Sequence, residues 1–316
     1  MLETLTLALW ATNMGLAIRS RDAFLAVAER MLDRARAAGA ELALFPEHLG
    51  ELWLQWAPAG LPETEEIPWI AEEARAIVPA LMALARARGL ALLAGTFPAR
   101  AGTGYRNRAW LGLPDGSIHL QDKLTLTPDE RDPAAWMLEP GDTLELVCWR
   151  GLRIAVLICL DVEQPGLAAR LAADPPDLVL VPTDTGRLSG YHRVTACARA
   201  RAVELYAAVA VAGGVGTVPV PPERPNVSGA GLYLPCEMAF GATGVWAETG
   251  PLPSTRGDGP LLIARDVPLG ELRRRRVDGA EVWPGYRSCA PESLRLLAAG
   301  GSGQAVDQEP AQQPIG

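Results

Sequence analysis

The chain has 316 residues, of which 49% are hydrophobic and 21% charged, and its formal net charge is −8 with a pI near 5.1. This composition is typical of a globular protein and excludes a disordered or fibrous one, and the negative charge opposes a phosphate backbone, so no nucleic-acid partner is expected. No stretch reaches the ~18 uninterrupted apolar residues of a membrane span, so no membrane partner is expected either.

The first hundred residues predict strands that alternate with helices. The apolar stretch at the N-terminus is short and contains Thr6, so we interpret it as a strand and not as a signal peptide. Apolar residues then recur at helical spacing until Gly39, which favours a helix end. The predicted elements are strands at 4–10, 41–48 and 91–97 and helices at 21–39 and 67–90.

The middle of the chain adds antiparallel pairing. A Pro-Asp-Gly turn lies between alternating apolar residues of the segment 107–122 and predicts a hairpin, so the sheet should be mixed. A strand-helix-strand unit, a further helix and a further strand follow, and three late apolar segments predict more strands. The expected elements are strands at 152–159, 177–183 and 207–216, helices at 164–174 and 191–206, and late strands at 229–235, 243–249 and 259–267.

No repeat or internal linker divides the first 296 residues. We therefore expect one domain at 1–296 and a flexible polar tail at 297–316, rich in Gly, Ala and Gln. The basic run 273–276 is interpreted as a solvated helix end. The five cysteines are odd in number and scattered, which favours free thiols in a reducing, cytoplasmic compartment.

Cys159 is placed where a strand of the strand-helix-strand unit ends. Such strand ends open into the crevice where ligands bind, and the positive end of the next helix favours thiolate over thiol. A lone strand cysteine is more often a small core residue, so a nucleophilic role for Cys159 needs companions.

Charged residues follow two other predicted strands. Glu47 ends the second strand, Lys123 follows the hairpin, and Glu130 comes seven residues later. Together with a thiol these side chains supply a base, a fixed positive charge and a nucleophile. Separately, each also fits a cap, a surface side chain or a turn residue.

Neither a metal site nor another cofactor site is indicated. The cysteines lack paired zinc-ligand spacing, the sequence has no H-E-x-x-H, and its three histidines are far apart. The histidines also form no familiar cysteine-protease pattern with a thiol. We therefore predict that the protein needs no cofactor and no metal.

Three segments in order resemble the motifs of the nitrilase superfamily of carbon-nitrogen hydrolases. "FPEH" is similar to its glutamate motif, "DKLTLTPDE" to its lysine motif with a second glutamate, and "RIAVLICLDVEQP" to its cysteine motif. The segments "GYHRVTACARARAVE" and "CEMAFGATGVWAE" further resemble a bacterial branch of predicted amidohydrolases. The resemblance covers the chain up to about residue 290, so the domain 1–296 is expected to be a carbon-nitrogen hydrolase domain.

This resemblance implies a fold, a reaction and an assembly. The implied fold is an α/β four-layer α-β-β-α sandwich with two mixed sheets, and members commonly form homodimers or larger homo-oligomers. Cys159 would attack a small amide, Glu47 would move the proton, Lys123 and the Leu160 N–H would stabilise the negative charge, and Glu130 would position the lysine or substrate. A thioester would form and be hydrolysed.

The resemblance leaves the substrate open. Leu160, Gly166 and Leu205 stand where the family usually has an aromatic residue, a glutamate and an asparagine, which bears on pocket shape. The expected substrate-binding residues are Leu160 and, in the segment 183–192, Thr183, Tyr191 and His192. The region of Trp53 and Trp56 is a further candidate. Nitrile hydrolysis, acyl transfer by the same thioester, and an inactive binding protein on the same fold are the alternatives.

Overall fold

The computed structural model describes residues 2–281. Fourteen strands lie in this part of the chain, and most are bounded by turns or short loops. They are β1 (Leu5–Trp10), β2 (Leu42–Leu44), β3 (Ala91–Ala101), β4 (Gly104–Gly112), β5 (Ile118–Asp122), β6 (Leu146–Trp149), β7 (Leu152–Val156), β8 (Leu178–Thr183), β9 (Ala208–Gly213), β10 (Gly216–Val218), β11 (Arg224–Asn226), β12 (Ala230–Tyr233), β13 (Val245–Glu248) and β14 (Leu261–Val267).

The helices cover the predicted helical segments, and the second runs without interruption through Pro68 and Pro79. Helix α1 begins after Ser20, whose side chain accepts the Ala23 N–H, and its C-terminal turn is followed by Gly39 at a φ of 83°. The α-helices are α1 (Arg21–Ala37), α2 (Glu63–Ala87), α3 (Pro128–Arg131), α4 (Pro165–Ala172), α5 (Leu188–Leu205) and α6 (Leu269–Val277), and 3-10 helices occur at Leu49–Trp56, Cys159–Glu163 and Met238–Phe240.

Two six-stranded mixed sheets form the centre of the fold. The first has the order β14-β1-β2-β3-β4-β5 and the second β13-β12-β9-β8-β7-β6, and β10 pairs with β11 separately. In each sheet, three neighbouring strands are parallel and the outer strands pair antiparallel. The predicted mixed pairing is therefore confirmed.

Alternation along β1 shows how the layers pack. Leu5, Leu7 and Leu9 belong to a core shared with strands of the second sheet, whereas Ala8 and Trp10 pack with α1 and α2. Successive strand residues point to opposite faces, so the first sheet is covered by the second sheet on one face and by helices on the other. Helices α4 and α5 contribute to the core on the second sheet, which confirms the four-layer α-β-β-α sandwich.

Two of the differences from the sequence prediction concern strand ends near the residues of interest. Strand β2 stops at Leu44: the Phe45 N–H still donates to the Leu93 carbonyl at 2.9 Å, but Pro46 has no N–H for the ladder. Strand β7 stops at Val156, so Cys159 lies on a 3-10 turn and not on the strand itself. Both departures place the residues of interest beyond the sheet, where side chains are free to meet.

The basic run at 273–276 is not simply a solvated helix end. The Arg276 side chain is 11% exposed, and its guanidinium donates to the carbonyls of Pro176 (2.8 Å) and Tyr206 (2.9 Å). It also contacts Asp177 at 3.3 Å. Helix α6 is therefore held against the second sheet by this arginine.

Two sequence expectations concern the ends of the chain. Between residues 2 and 281, no helix is both long and apolar enough to cross a membrane. The predicted domain boundary at 296 and the tail at 297–316 lie outside the described residues.

Gly95 fixes the approach of β3 to the segment after β2. It has a φ of 86°, and a Cβ there would lie 2.1 Å from the Pro46 carbonyl oxygen. We expect Gly95→Ala to lower the free energy of unfolding by about 2 kcal/mol or more, from backbone strain and this clash. Chemical denaturation measures the change.

Gly166 provides the matched control for this substitution. It is exposed, its φ is not in the left-handed region, and a Cβ there would meet no atom within 4 Å. Gly166→Ala should leave stability unchanged or raise it slightly, since alanine favours the helix. Equal stability of the two variants would contradict the strain assigned to Gly95.

Candidate active site

Side chains from both sheets meet where several strands end. Glu47 follows β2, Lys123 follows β5, and Cys159 lies three residues beyond β7. Their residues are 1%, 1% and 6% exposed. The Lys123 N–H donates to the Asn107 carbonyl at 2.8 Å, which extends the β4–β5 pairing by one residue and fixes where the lysine side chain begins.

A buried ammonium group joins two carboxylates. Lys123 Nζ donates to Glu47 Oε1 at 2.8 Å and to Glu130 Oε2 at 2.7 Å. Burial alone would lower the pKa of Lys123, but Glu47 and Glu130 raise it well above its usual range. Lys123 is therefore a permanent positive charge at this site.

Glu130 is held by a helix cap. It is the third residue after Thr127 in a capping box, in which Glu130 Oε2 accepts the Thr127 N–H at 2.8 Å. Burial favours the neutral acid, yet Lys123 and His48 lower the pKa of Glu130 well below its usual range. The ionised carboxylate thus bonds to the Lys123 ammonium from a fixed position.

Cys159 has a strained backbone and two hydrogen-bond partners. Its φ is 46°, in the left-handed region that non-glycine residues rarely adopt. Thr183 Oγ1 donates to Cys159 Sγ at 3.1 Å, and the sulfur donates to the Asp184 carbonyl at 3.4 Å. Since the Asp184 N–H donates to Glu47 Oε2 at 2.9 Å, one residue contacts both the sulfur and the carboxylate.

The resting state of Cys159 is a thiol. Burial and the negative charge of Glu47 raise the pKa of Cys159 well above its usual range, and Lys123 opposes this shift only in part. Desolvation and Glu47 thus outweigh Lys123, the positive charge expected to favour the thiolate. A nearby base has to remove the proton before the sulfur can attack carbon.

Asp161 ties the lysine segment to the cysteine segment. Its carboxylate accepts the N–H groups of Leu124 (3.2 Å), Thr125 (2.7 Å) and Ile158 (3.2 Å). It is fully buried, and burial raises its pKa to about 6 despite these donors. One side chain thus aligns a loop of the first sheet with a loop of the second.

His48 and Asn107 complete the polar network and were not predicted from sequence. Asn107 Nδ2 donates to Glu47 Oε1 at 2.9 Å and to Glu130 Oε1 at 3.1 Å. His48 Nε2 lies 3.2 Å from the same Glu130 oxygen, and although burial lowers the pKa of His48, Glu47 and Glu130 raise it to about 9. The only sequence signal was the position of His48 directly after Glu47.

These residues lie in a cavity of about 700 Å³. Glu47, Lys123, Glu130, Cys159 and Leu160 line it, and a further wall comes from residues 184–187. Among the described residues, the Leu160 N–H has no hydrogen-bond acceptor. The cavity therefore presents a thiol, a carboxylate, an ammonium and a free N–H to a small molecule.

Several residues expected to bind substrate do not line this cavity. Tyr191 is buried and His192 exposed on α5, whereas the neighbouring Ser189, Gly190 and Arg193 line the wall. Thr183 contacts Cys159 instead of the open space.

The tryptophan region and two family departures also lie elsewhere. Trp53 is fully buried and stacks on Phe97, and Trp56 donates to Glu73. Gly166 is exposed on α4, and Leu205 is fully buried in the core. Of the three departures from the family pattern, Leu160 is the one that lines the cavity.

A metal ion does not fit the cluster of possible ligands here. Glu47, His48 and Glu130 offer ligand atoms within 4.8 Å of one another. However, the Lys123 ammonium already bonds both carboxylates, and a divalent ion beside it would face strong repulsion.

The chain matches a sequence model described as carbon-nitrogen hydrolase over residues 8–253. It is 31% identical over 266 residues to the probable hydrolase YhcX of Bacillus subtilis, covering 83% of this chain and 50% of that protein. It is 32% identical over 139 residues to an (R)-stereoselective amidase of a Pseudomonas species, covering 43% of this chain and 48% of that protein. The chain thus spans about half the length of these curated relatives.

Solved structures of an amidase from Nesterenkonia sp. AN1 share the fold. A variant with a glutamate replaced by glutamine shows covalent addition of the acetamide moiety of fluoroacetamide at the active-site cysteine. A cysteine-to-alanine variant contains butyramide. Both superpose with a TM-score of 0.64 and are 26% identical, with 87% of this chain covered and 94% and 95% of theirs.

The state of the Cys159 thiol can be tested through its neighbours. Glu47→Gln removes a negative charge, so the pKa of Cys159 should fall, whereas Lys123→Met removes a positive charge and should raise it. The ultraviolet absorbance of the thiolate, titrated against pH, measures both. Subtracting the titration of the same variant carrying Cys159→Ala isolates this thiol, and an unchanged pKa in Glu47→Gln would refute the assigned cause.

The alignment by Asp161 can be tested by Asp161→Asn. The amide has one acceptor oxygen for three backbone donors, so buried N–H groups lose their partner, and we expect a loss of about 1–3 kcal/mol of stability. Denaturant titration measures this loss. Asp22→Asn, at an exposed position of α1, is the matched control, and a similar small effect of both substitutions would rule out this role of Asp161.

Proposed function

Because the chain belongs to the carbon-nitrogen hydrolase family, we propose that it hydrolyses a small amide to a carboxylic acid and ammonia or an amine. The reaction would pass through a thioester on Cys159. The observation that carries this proposal is that Glu47 hydrogen-bonds to Lys123 while both charges act on the Cys159 thiol in one cavity.

In the first step, the thiol proton moves to a carboxylate oxygen of Glu47 as the sulfur bonds to the amide carbon. The carbonyl π electrons move to oxygen, which becomes an oxyanion. Lys123 Nζ and the Leu160 N–H supply positive charge and a hydrogen bond to that oxygen. Deprotonation by Glu47 during the attack is consistent with the raised pKa of Cys159.

In the second step, the oxyanion collapses and the C–N bond breaks. Glu47 returns its proton to the nitrogen, which leaves as ammonia or amine, and the acyl group remains on sulfur. Glu47 then takes a proton from a water molecule that attacks the thioester, and the thiol is regenerated as the acid leaves. One carboxylate serves both halves of the reaction, and the Asp184 N–H holds it near the sulfur.

The related amidase supports an amide as substrate. In that protein, a cysteine forms a covalent bond with an amide-containing reagent, and butyramide binds when the cysteine is absent. The corresponding chemistry here requires an accessible sulfur, and Cys159 lines a cavity of about 700 Å³.

The proposal predicts that Cys159→Ala removes hydrolysis. Ammonia release from a panel of aliphatic and aryl amides should fall by at least about 10³-fold, since the nucleophile is lost, while thermal unfolding stays close to that of the parent. Cys197→Ala on α5, outside the cavity lining, is the matched control and should retain activity.

Mass spectrometry provides the second measurement. Rapidly quenched parent enzyme should carry the acyl group of the substrate on Cys159, and the Cys159→Ala variant should carry none. Undiminished turnover by Cys159→Ala would reject the thioester mechanism.

A further inference from the structure

Glu51 presents a buried carboxyl group that the proposed reaction does not use. It lies on the 3-10 helix Leu49–Trp56, four residues after Glu47, and it lines the same cavity. The residue is 4% exposed, and its Oε2 atom has no hydrogen-bond partner. Within the described residues, no donor satisfies this carboxyl group.

Asp184 brings a second carboxyl group to the same place. Its backbone contacts Glu47 and Cys159, but its side chain accepts no hydrogen bond from any residue between 2 and 281. Burial and the charge of Glu51 raise the pKa of Asp184, so the two carboxyl groups interact. Two acidic side chains without hydrogen-bond donors therefore line the cavity that also holds Cys159.

The chain's own cations near Glu51 are engaged with other carboxylates. Arg224 Nη2 donates to Glu66 at 2.7 and 2.9 Å, while its Nη1 has no partner among the described residues, and His48 lies against Glu130 at 3.2 Å. Lys123 bridges Glu47 and Glu130. These cations make no hydrogen bond to Glu51, and His48 and Arg224 act on it only electrostatically. The carboxylate oxygens of Glu51 are therefore available to a ligand.

The cavity as a whole favours a cation. Eight carboxyl-bearing residues line it, against four lysine and arginine residues and the protonated His48. An excess of one sign of charge in a cleft attracts ligands of the opposite sign.

We propose that Glu51 and Asp184 form a subsite for a protonated amine or similar cation, so that the substrates are amides carrying a positive charge. This inference rests on the proposed amide hydrolysis and specifies its substrate class. An ammonium group supplies N–H donors to both carboxylates and offsets the cost of burying their charge. The amide end of the same molecule would then lie at Cys159.

Binding is tested first, without turnover, in the Cys159→Ala protein. The probe is a series of ω-aminoalkanamides, each compared with the isosteric neutral amide, such as ω-aminopentanamide with hexanamide. Calorimetry should show at least one cationic amide binding about tenfold or more tightly than its neutral isostere, which corresponds to about 1.4 kcal/mol. Equal or weaker binding of the whole cationic series would overturn the proposal.

Variants then locate the cation. In the same background, Glu51→Gln should reduce the ratio of cationic to neutral affinity by about tenfold, and Asp184→Asn should reduce it as well. Glu65→Gln, an exposed position outside the cavity lining, removes the same charge and should preserve the ratio. A ratio that survives Glu51→Gln and Asp184→Asn would overturn the subsite, and thermal unfolding verifies that each variant is folded.

Turnover separates this inference from the proposed function. With the intact nucleophile, kcat/KM for the preferred cationic amide should exceed that for its isostere by a similar factor. Tight cationic binding without hydrolysis of any amide would reject the proposed function and leave the cation subsite standing. Efficient hydrolysis of neutral amides with no cationic preference would reject the subsite alone.

Discussion

The site depends on a lysine ammonium that is removed from water and held between two carboxylates. Burying one charged group is costly unless partners surround it, and Lys123 has Glu47 and Glu130 within 2.8 Å. Glu130 is in turn fixed by a helix cap and by Asn107. The arrangement keeps the positive charge permanent and leaves Glu47 free to bond Asp184 with its other oxygen.

This balance of charge also explains why the nucleophile rests as a thiol. Cys159 lies near one positive and one negative neighbour, and burial decides the outcome by favouring the neutral form. A thiol at rest is protected from oxidation and alkylation, because both require thiolate character. In the proposed mechanism, Glu47 takes this proton only as the sulfur attacks a bound substrate.

The sequence predicted the fold better than the contacts within the site. Period-two alternation and helical spacing depend only on residues close together in the chain. Strands such as β1 and helices such as α1 could therefore be predicted from short segments of sequence. Glu47, Lys123 and Cys159 were singled out because each follows a predicted strand, and the resemblance supplied their roles. Asn107, Asp161 and Asp184 gave no such signal, since each has partners tens of residues away. On α5, the rotation of the helix about its axis determines which side chains face the cavity. Gly190 and Arg193 line it, whereas Tyr191 is buried in the protein.

The lysine and the cysteine come from different sheets, and Asp161 holds their loops together. The distances between Glu47, Lys123 and Cys159 therefore depend on how the two sheets pack against each other. Leu7 and Leu44 on one side and Ile154 and Leu180 on the other fill the layer between them. The apolar side chains between the sheets therefore help to set the distances among the three groups of the proposed reaction.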